Sequence, residues 1–163
     1  MVRKEHAGQV RTFPDIVRRR LRFVSRQPGS GTRMLLEHLL YEHSLPAEAL
    51  SGTGDHVENT HVAVALCVAS GVADAGLGVE AAALEFGLHF IPVVEESYFL
   101  ACLNPNVDHP AVRGLRTALG GDRWREILAG LPGYRPAAQA GGVLAVEEAL
   151  PWWRRAHSSV RTP

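Results

Sequence analysis

Residues 22–40, RFVSRQPGSGTRMLLEHLL, hold the side chains whose types and order best suit chemistry. A short apolar run, Leu21, Phe23 and Val24, gives way to Pro28, Gly29, Ser30 and Gly31. From Thr32 onward Met34, Leu35, Leu36, Leu39 and Leu40 recur at helical spacing. The order is strand, glycine turn, helix. The first N–H groups of a helix have no partner inside it, and the macrodipole leaves that end partly positive. Gly29 and Gly31 let the backbone come close to a ligand, and Ser30 and Thr32 add hydroxyl donors. Together they can cradle an oxyanion. The same residues also read as an ordinary capped helix after a tight turn, with Ser30 or Thr32 satisfying the helix end.

Other chemistries are weaker at this turn. A P-loop needs a lysine and a glycine spacing that Gly29-Ser30-Gly31-Thr32-Arg33 lacks, so nucleotide hydrolysis is not indicated. The third glycine of a dinucleotide fingerprint is replaced by Met34. A second helix start, Glu58-Asn59-Thr60-His61, repeats the ingredients of the first, with free N–H groups and a Thr hydroxyl. Helix N-termini of neighbouring strand–helix units commonly point into one crevice. Two of them can grip a tetrahedral anion with neutral dipoles alone. The eight histidines include no H-E-x-x-H pair, and no G-x-S-x-G elbow or Ser-His-Asp set is legible. Asp74, Glu95 and Glu96 read as structural or solvated carboxylates. Cys67 and Cys102 read as two buried thiols acting as small hydrophobes, because neither sits in a CxxC pair. These counts point to a non-enzyme without metal or cofactor.

The elements that must position these residues alternate. Pro14 opens a short helix near Phe13, and a strand precedes the glycine turn. The helix from Thr32 ends before Pro46, and residues 44–59 form a polar linker. Val62–Ala69 is a helix apolar nearly all round, which predicts deep burial. Residues 73–79 read as a strand of small residues and Ala81–Phe86 as a short helix. Phe90–Val94 and Tyr98–Leu103 read as two further strands. Helices follow from Pro110, over about Asp122–Leu131, and over Val143–Leu150, before a Trp152-Trp153 basic tail. This alternation predicts an α/β fold with a mainly parallel sheet flanked by helices. At 163 residues the chain reads as a basic lead-in over 1–20, a domain over 21–135, and a linker, short helix and tail over 136–163. Lys+Arg and Asp+Glu both number 17, so no basic excess points to nucleic acid. The opening residues carry no secretory signal and no stretch is apolar enough to span a membrane, so a cytoplasmic location is expected.

With those residues in view, the chain resembles the type II periplasmic-binding-protein-like domain of molybdate-binding proteins and molybdate-responsive transcriptional regulators. The resemblance rests on residues 22–33, on Thr60–Ala65, on Ala69–Gly78 and on Gly87–Pro92, and it covers about residues 13–135. More distantly the chain is similar to the effector domains of LysR-type regulators. The resemblance implies two α/β lobes with the ligand between them, here one lobe plus a returning strand and closing helices. It implies a molybdate or tungstate ligand and a role in regulation or uptake. Carried over, Ser30, Gly31, Thr32 and Arg33 match the first helix N-terminus, Thr60 and His61 the second, and Gly78 and Val79 the end of the strand facing the cleft. It also implies that most of the first lobe is missing, to be supplied by a second copy or another chain, and that DNA contact is not expected here. Two alternatives stand beside it: a sensor of a small organic acid, and a degenerate half-domain that only dimerises.

Overall fold

A computed structural model describes residues 1–50 and 56–150. They divide into two compact units, one of residues 1–96 with 131–133, the other of residues 97–130 with those from 134 on.

The first unit is built on a parallel sheet of three strands. β1 (Phe23–Arg26) lies between β2 (Val57–Glu58) and β3 (Ala75–Gly76). Ser25 registers with Val57 and Phe23 with Ala75. Successive side chains of a strand point to opposite faces, and β1 uses both. Phe23 packs with Phe13 and Ile16 of α1 (Phe13–Arg18) and with Leu36, Leu39 and Leu40 of α2 (Gly31–Glu42). Val24 packs with Val64, Ala65 and Val68 of α3 (His61–Ala69) and with Ala82 and Ala83 of α4 (Glu80–Glu85). Burying each large aliphatic or aromatic side chain contributes about 1.5–3 kcal/mol, so helices settle on both faces. β3 runs close under α3: a Cβ at Gly76 would lie 2.7 Å from Val64 Cγ1 and 2.9 Å from Val24 Cγ1. The small-residue pattern around it is therefore a packing requirement.

The chain start belongs to the same layer. Val2 bridges Ala75 and His89, both antiparallel, and Met1 and Val2 are buried. Behind them Asp74 forms a clasp. Its carboxylate accepts from Arg3 Nη2 at 2.6 Å, from Arg22 Nη2 at 2.8 Å, and from Arg22 Nε and the Arg22 backbone N–H at 3.0 Å. Asp74 is thus a structural carboxylate, as its sequence context suggests.

In the second unit, α5 (Pro110–Gly120) meets α6 (Asp122–Ala129) through Gly121, and α7 spans Val146–Ala149. Proline opens α5, where its missing N–H is harmless. Leu128 is the one buried hydrophobic side chain among the described residues of this unit.

Several expectations need correction. Phe90–Val94 and Tyr98–Leu103 form no strands; the antiparallel bridge falls at His89 instead. β propensity measures fit to a half-buried sheet surface, and no ladder of described residues runs along Phe99, Leu100 and Leu103, which are exposed. α3 buries Val64, Ala65 and Val68 but leaves Val62 47% and Leu66 53% exposed, because one layer covers only its sheet-facing side. Cys67 is half-buried and Cys102 exposed, so the reading of two buried thiols fails at Cys102. The last two helices end earlier than their apolar patterns, at Ala129 and Ala149. The Trp152-Trp153 tail and residues 51–55 of the linker lie outside the described residues. Among the described residues no helix is long and apolar enough to cross a membrane.

Candidate functional site

Parallel strands deliver their helices from one end, so the turns after β1, β2 and β3 all lie at the carboxyl edge of the sheet. With the order β2-β1-β3, the chain leaves β1 in one direction and returns past it, the topology that opens a crevice at this edge.

The first turn is set by Gly29, whose φ of +81° suits glycine. Ser30 then caps α2. Its Oγ accepts from the Arg33 N–H at 3.2 Å and donates to the Gln27 carbonyl at 2.9 Å. That hydroxyl is fully committed, so the donor role expected of Ser30 is taken by the turn itself. Among the described residues, the Gly31 and Thr32 N–H groups and the Thr32 hydroxyl have no hydrogen-bond partner. Arg33 braces the turn from behind: Nη1 donates to Ser25 Oγ at 2.9 Å and Nε to Glu37 Oε1 at 2.7 Å.

The second turn repeats the device. Thr60 caps α3 by accepting from the Ala63 N–H at 3.0 Å. The Thr60 carbonyl takes the Val64 N–H, and the His61 and Val62 N–H groups have no partner among the described residues. Unlike Ser30, Thr60 has a hydroxyl proton with no acceptor among the described residues. His61 Nδ1 is buried and has no partner among the described residues, 3.2 Å from where a Cβ on Gly78 would sit. Burial, aided by the charge of Arg26, lowers the His61 pKa, so the ring is neutral at neutral pH. Gly78 leaves space for this ring and for the Met1 side chain. Val79 precedes α4 with no side-chain cap and packs on the α3 side of the sheet.

Arg26 links the two turns, and sequence reasoning did not single it out. Its Nε donates to Gln27 Oε1 and its Nη2 to the Asn59 carbonyl, both at 3.0 Å. The one sequence signal was an arginine ending an apolar run at a glycine turn. Its partner in the second turn is 33 residues away. Glu58, at the end of β2, accepts from the Cys67 thiol at 3.3 Å. Burial, reinforced by that carboxylate, pushes the thiol up to about 11, so Cys67 stays protonated.

The edge therefore offers unpaired N–H groups at Gly31, Thr32, His61 and Val62, and hydroxyls at Thr32 and Thr60. Such a set can bind an anion by hydrogen bonding, with Arg26 adding positive charge. Among the described residues no group of three His, Cys, Asp or Glu side chains could hold a metal ion.

Comparison with known proteins places this architecture. Residues 1–120 match the family described as the PBP superfamily domain. Over 133 residues the chain is 32% identical to "Uncharacterized protein YvgK" of Bacillus subtilis (strain 168). That match takes in 82% of this chain and 42% of YvgK, so the chain spans less than half the length of that relative. No solved structure matches the chain.

Proposed function

The chain belongs to the PBP superfamily as a ligand-binding domain, and from that premise we propose that the paired N-termini of α2 and α3 bind a small oxyanion, molybdate or tungstate. The carrying observation is the repetition of one device on adjacent parallel strands. Each turn has a capped helix start, two unpaired N–H groups and a spare hydroxyl. The grip is direct and non-catalytic, through Gly31, Thr32, Thr60, His61 and Val62, with Ser30 and Arg33 holding the first turn in shape. The role that follows is regulation or uptake. The match takes in 42% of YvgK, and the proposal includes a second lobe that closes over the anion.

A substitution that removes one donor and spares the fold tests this reading. Proline is tolerated at the first helical position, and Ser30, with ψ of 145°, already has the extended backbone that a following proline demands. In thermal-shift titrations, molybdate or tungstate at a hundredfold excess over Kd stabilises the wild type by about 2.7 kcal/mol. Gly31→Pro keeps the unliganded melting temperature and loses most of that shift. An undiminished shift would overturn the site, and no shift for the wild type would overturn the ligand.

One observation favours a second reading, a small organic acid. Met34 and Val62 follow the free donors and are 65% and 47% exposed, so a carboxylate held by the N–H groups would lay an apolar tail against them. An acid that outbinds molybdate in the same titration would select this reading.

A further inference from the structure

We propose that the hollow beside α5, in the second unit, binds a dianionic phosphoryl group. The hollow is an open depression of about 470 Å³ lined by Arg113, Arg116, Thr117, Gly120, Gly141 and Gly142. Arg113, Arg116 and Thr117 stand three and four residues apart, so they share one face of α5.

The charge in this hollow is uncompensated. On α6 of the same unit, Arg125 pairs with Asp122 at 2.6 Å and Arg123 with Glu126 at 3.4 Å. Arg113 and Arg116 have no such carboxylate among the described residues, and the lining contains none. Arg116 spends only Nε, which donates to the Gly141 carbonyl at 3.1 Å and leaves both Nη groups available. Thr117 Oγ1 donates to the Arg113 carbonyl at 3.0 Å, which fixes that side chain against the helix. Two guanidiniums balance the two charges of a phosphoryl dianion, and their planar forks match its oxygens.

The turn opposite packs closely on the helix. Gly141 has φ of +80°, and a Cβ there would strike the Arg116 carbonyl. Only glycine lets the backbone sit this close to the helix. The Gly141 N–H has no hydrogen-bond partner among the described residues, so the turn carries an unused donor. The helix dipole does not account for the pair, because α5 has no basic residue in its last turn.

The test uses the full chain in calorimetric titrations at low salt, with inorganic phosphate and with glucose 6-phosphate as a phosphomonoester. The wild type binds phosphate saturably. Arg113→Ala, whose guanidinium holds nothing else among the described residues, keeps the wild-type melting temperature and weakens phosphate binding by roughly tenfold or more. Arg116→Met weakens phosphate binding to a similar extent and lowers the melting temperature slightly, because it also loses the bond to the Gly141 carbonyl. Tighter binding of glucose 6-phosphate assigns the group to a larger organic molecule; equal binding assigns it to free phosphate. Gly31→Pro separates this hollow from the α2–α3 edge: it removes molybdate binding and leaves phosphate binding intact. Phosphate binding that survives Arg113→Ala unchanged, that is lost instead in Gly31→Pro, or that never saturates in the wild type overturns the proposal.

Discussion

Asp74 sits where three parts of the first unit converge, and its environment sets a pH dependence. Hydrogen bonds from the Arg22 side chain and backbone, with the charges of Arg22 and Arg3, bring its pKa down to about 2 against the opposing effect of burial. The ordinary value is 3.8, so the folded state holds the carboxylate ionised where the unfolded chain would protonate it. The stabilisation is complete above the unfolded value and disappears as pH falls from 3.8 to about 2. A shift of that size corresponds to about 2 kcal/mol, and the Asp74 side chain is only 10% exposed. Asp74→Asn should therefore cost about 2 kcal/mol at pH 7 and almost nothing at pH 2. Urea denaturation of both proteins across that range checks it; a difference that does not change with pH would remove the ion pairs as its cause. Single residues also mark the limit of reading from sequence. Residue type narrowed each cap to two candidates, Ser30 or Thr32 and Asn59 or Thr60, and the structure selects Ser30 and Thr60. That Ser30's hydroxyl is consumed by Gln27, while Thr60's is spare, depends on turn geometry that residue type does not encode.

At the scale of elements, the sheet and its helices were legible wherever a local pattern coincided with a tertiary surface. The glycine turn, the two capped helices and the proline-led α5 followed from local chemistry. The apolar runs between 90 and 103 did not, because a strand is defined by the neighbour it pairs with. Likewise α3 is apolar on every side, yet only its side toward the sheet and α4 is covered. β3 passes α3 with no room for a methyl group at Gly76. Gly76→Ala should cost about 1–3 kcal/mol, since its methyl would overlap Val64 and Val24. A Val64→Ala background would recover part of that loss by making room, as a double-mutant cycle would measure. Equal penalties in both backgrounds would contradict the contact.

At the scale of the whole molecule, the two units bury apolar surface very unequally. The first carries two clusters around its sheet, whereas the second buries Leu128 alone among its described residues. Local opening follows buried contacts, so the amides of α5 and α6 should exchange with solvent far faster than those of β1 and α3. Hydrogen exchange read by mass spectrometry would resolve this, and uniform protection would refute it. Denaturation monitored by Trp124, on α6, should then precede loss of helical signal from the first unit, and a single stability would not describe the chain.

The Asp74 clasp also bears on how the first unit assembles in time. Its partners Arg3 and Arg22 lie 71 and 52 residues away along the chain. Ordering such long loops costs entropy before any contact rewards it, so contacts of this span tend to close after a nucleus of shorter-range pairs has formed. A clasp that closes after the barrier leaves the refolding rate untouched when it is cut, and the whole deficit falls on the unfolding rate. For about 2 kcal/mol that is roughly a thirtyfold faster escape from the native state. The clasp then acts chiefly as a latch on lifetime, keeping a layer of short strands closed once it has formed.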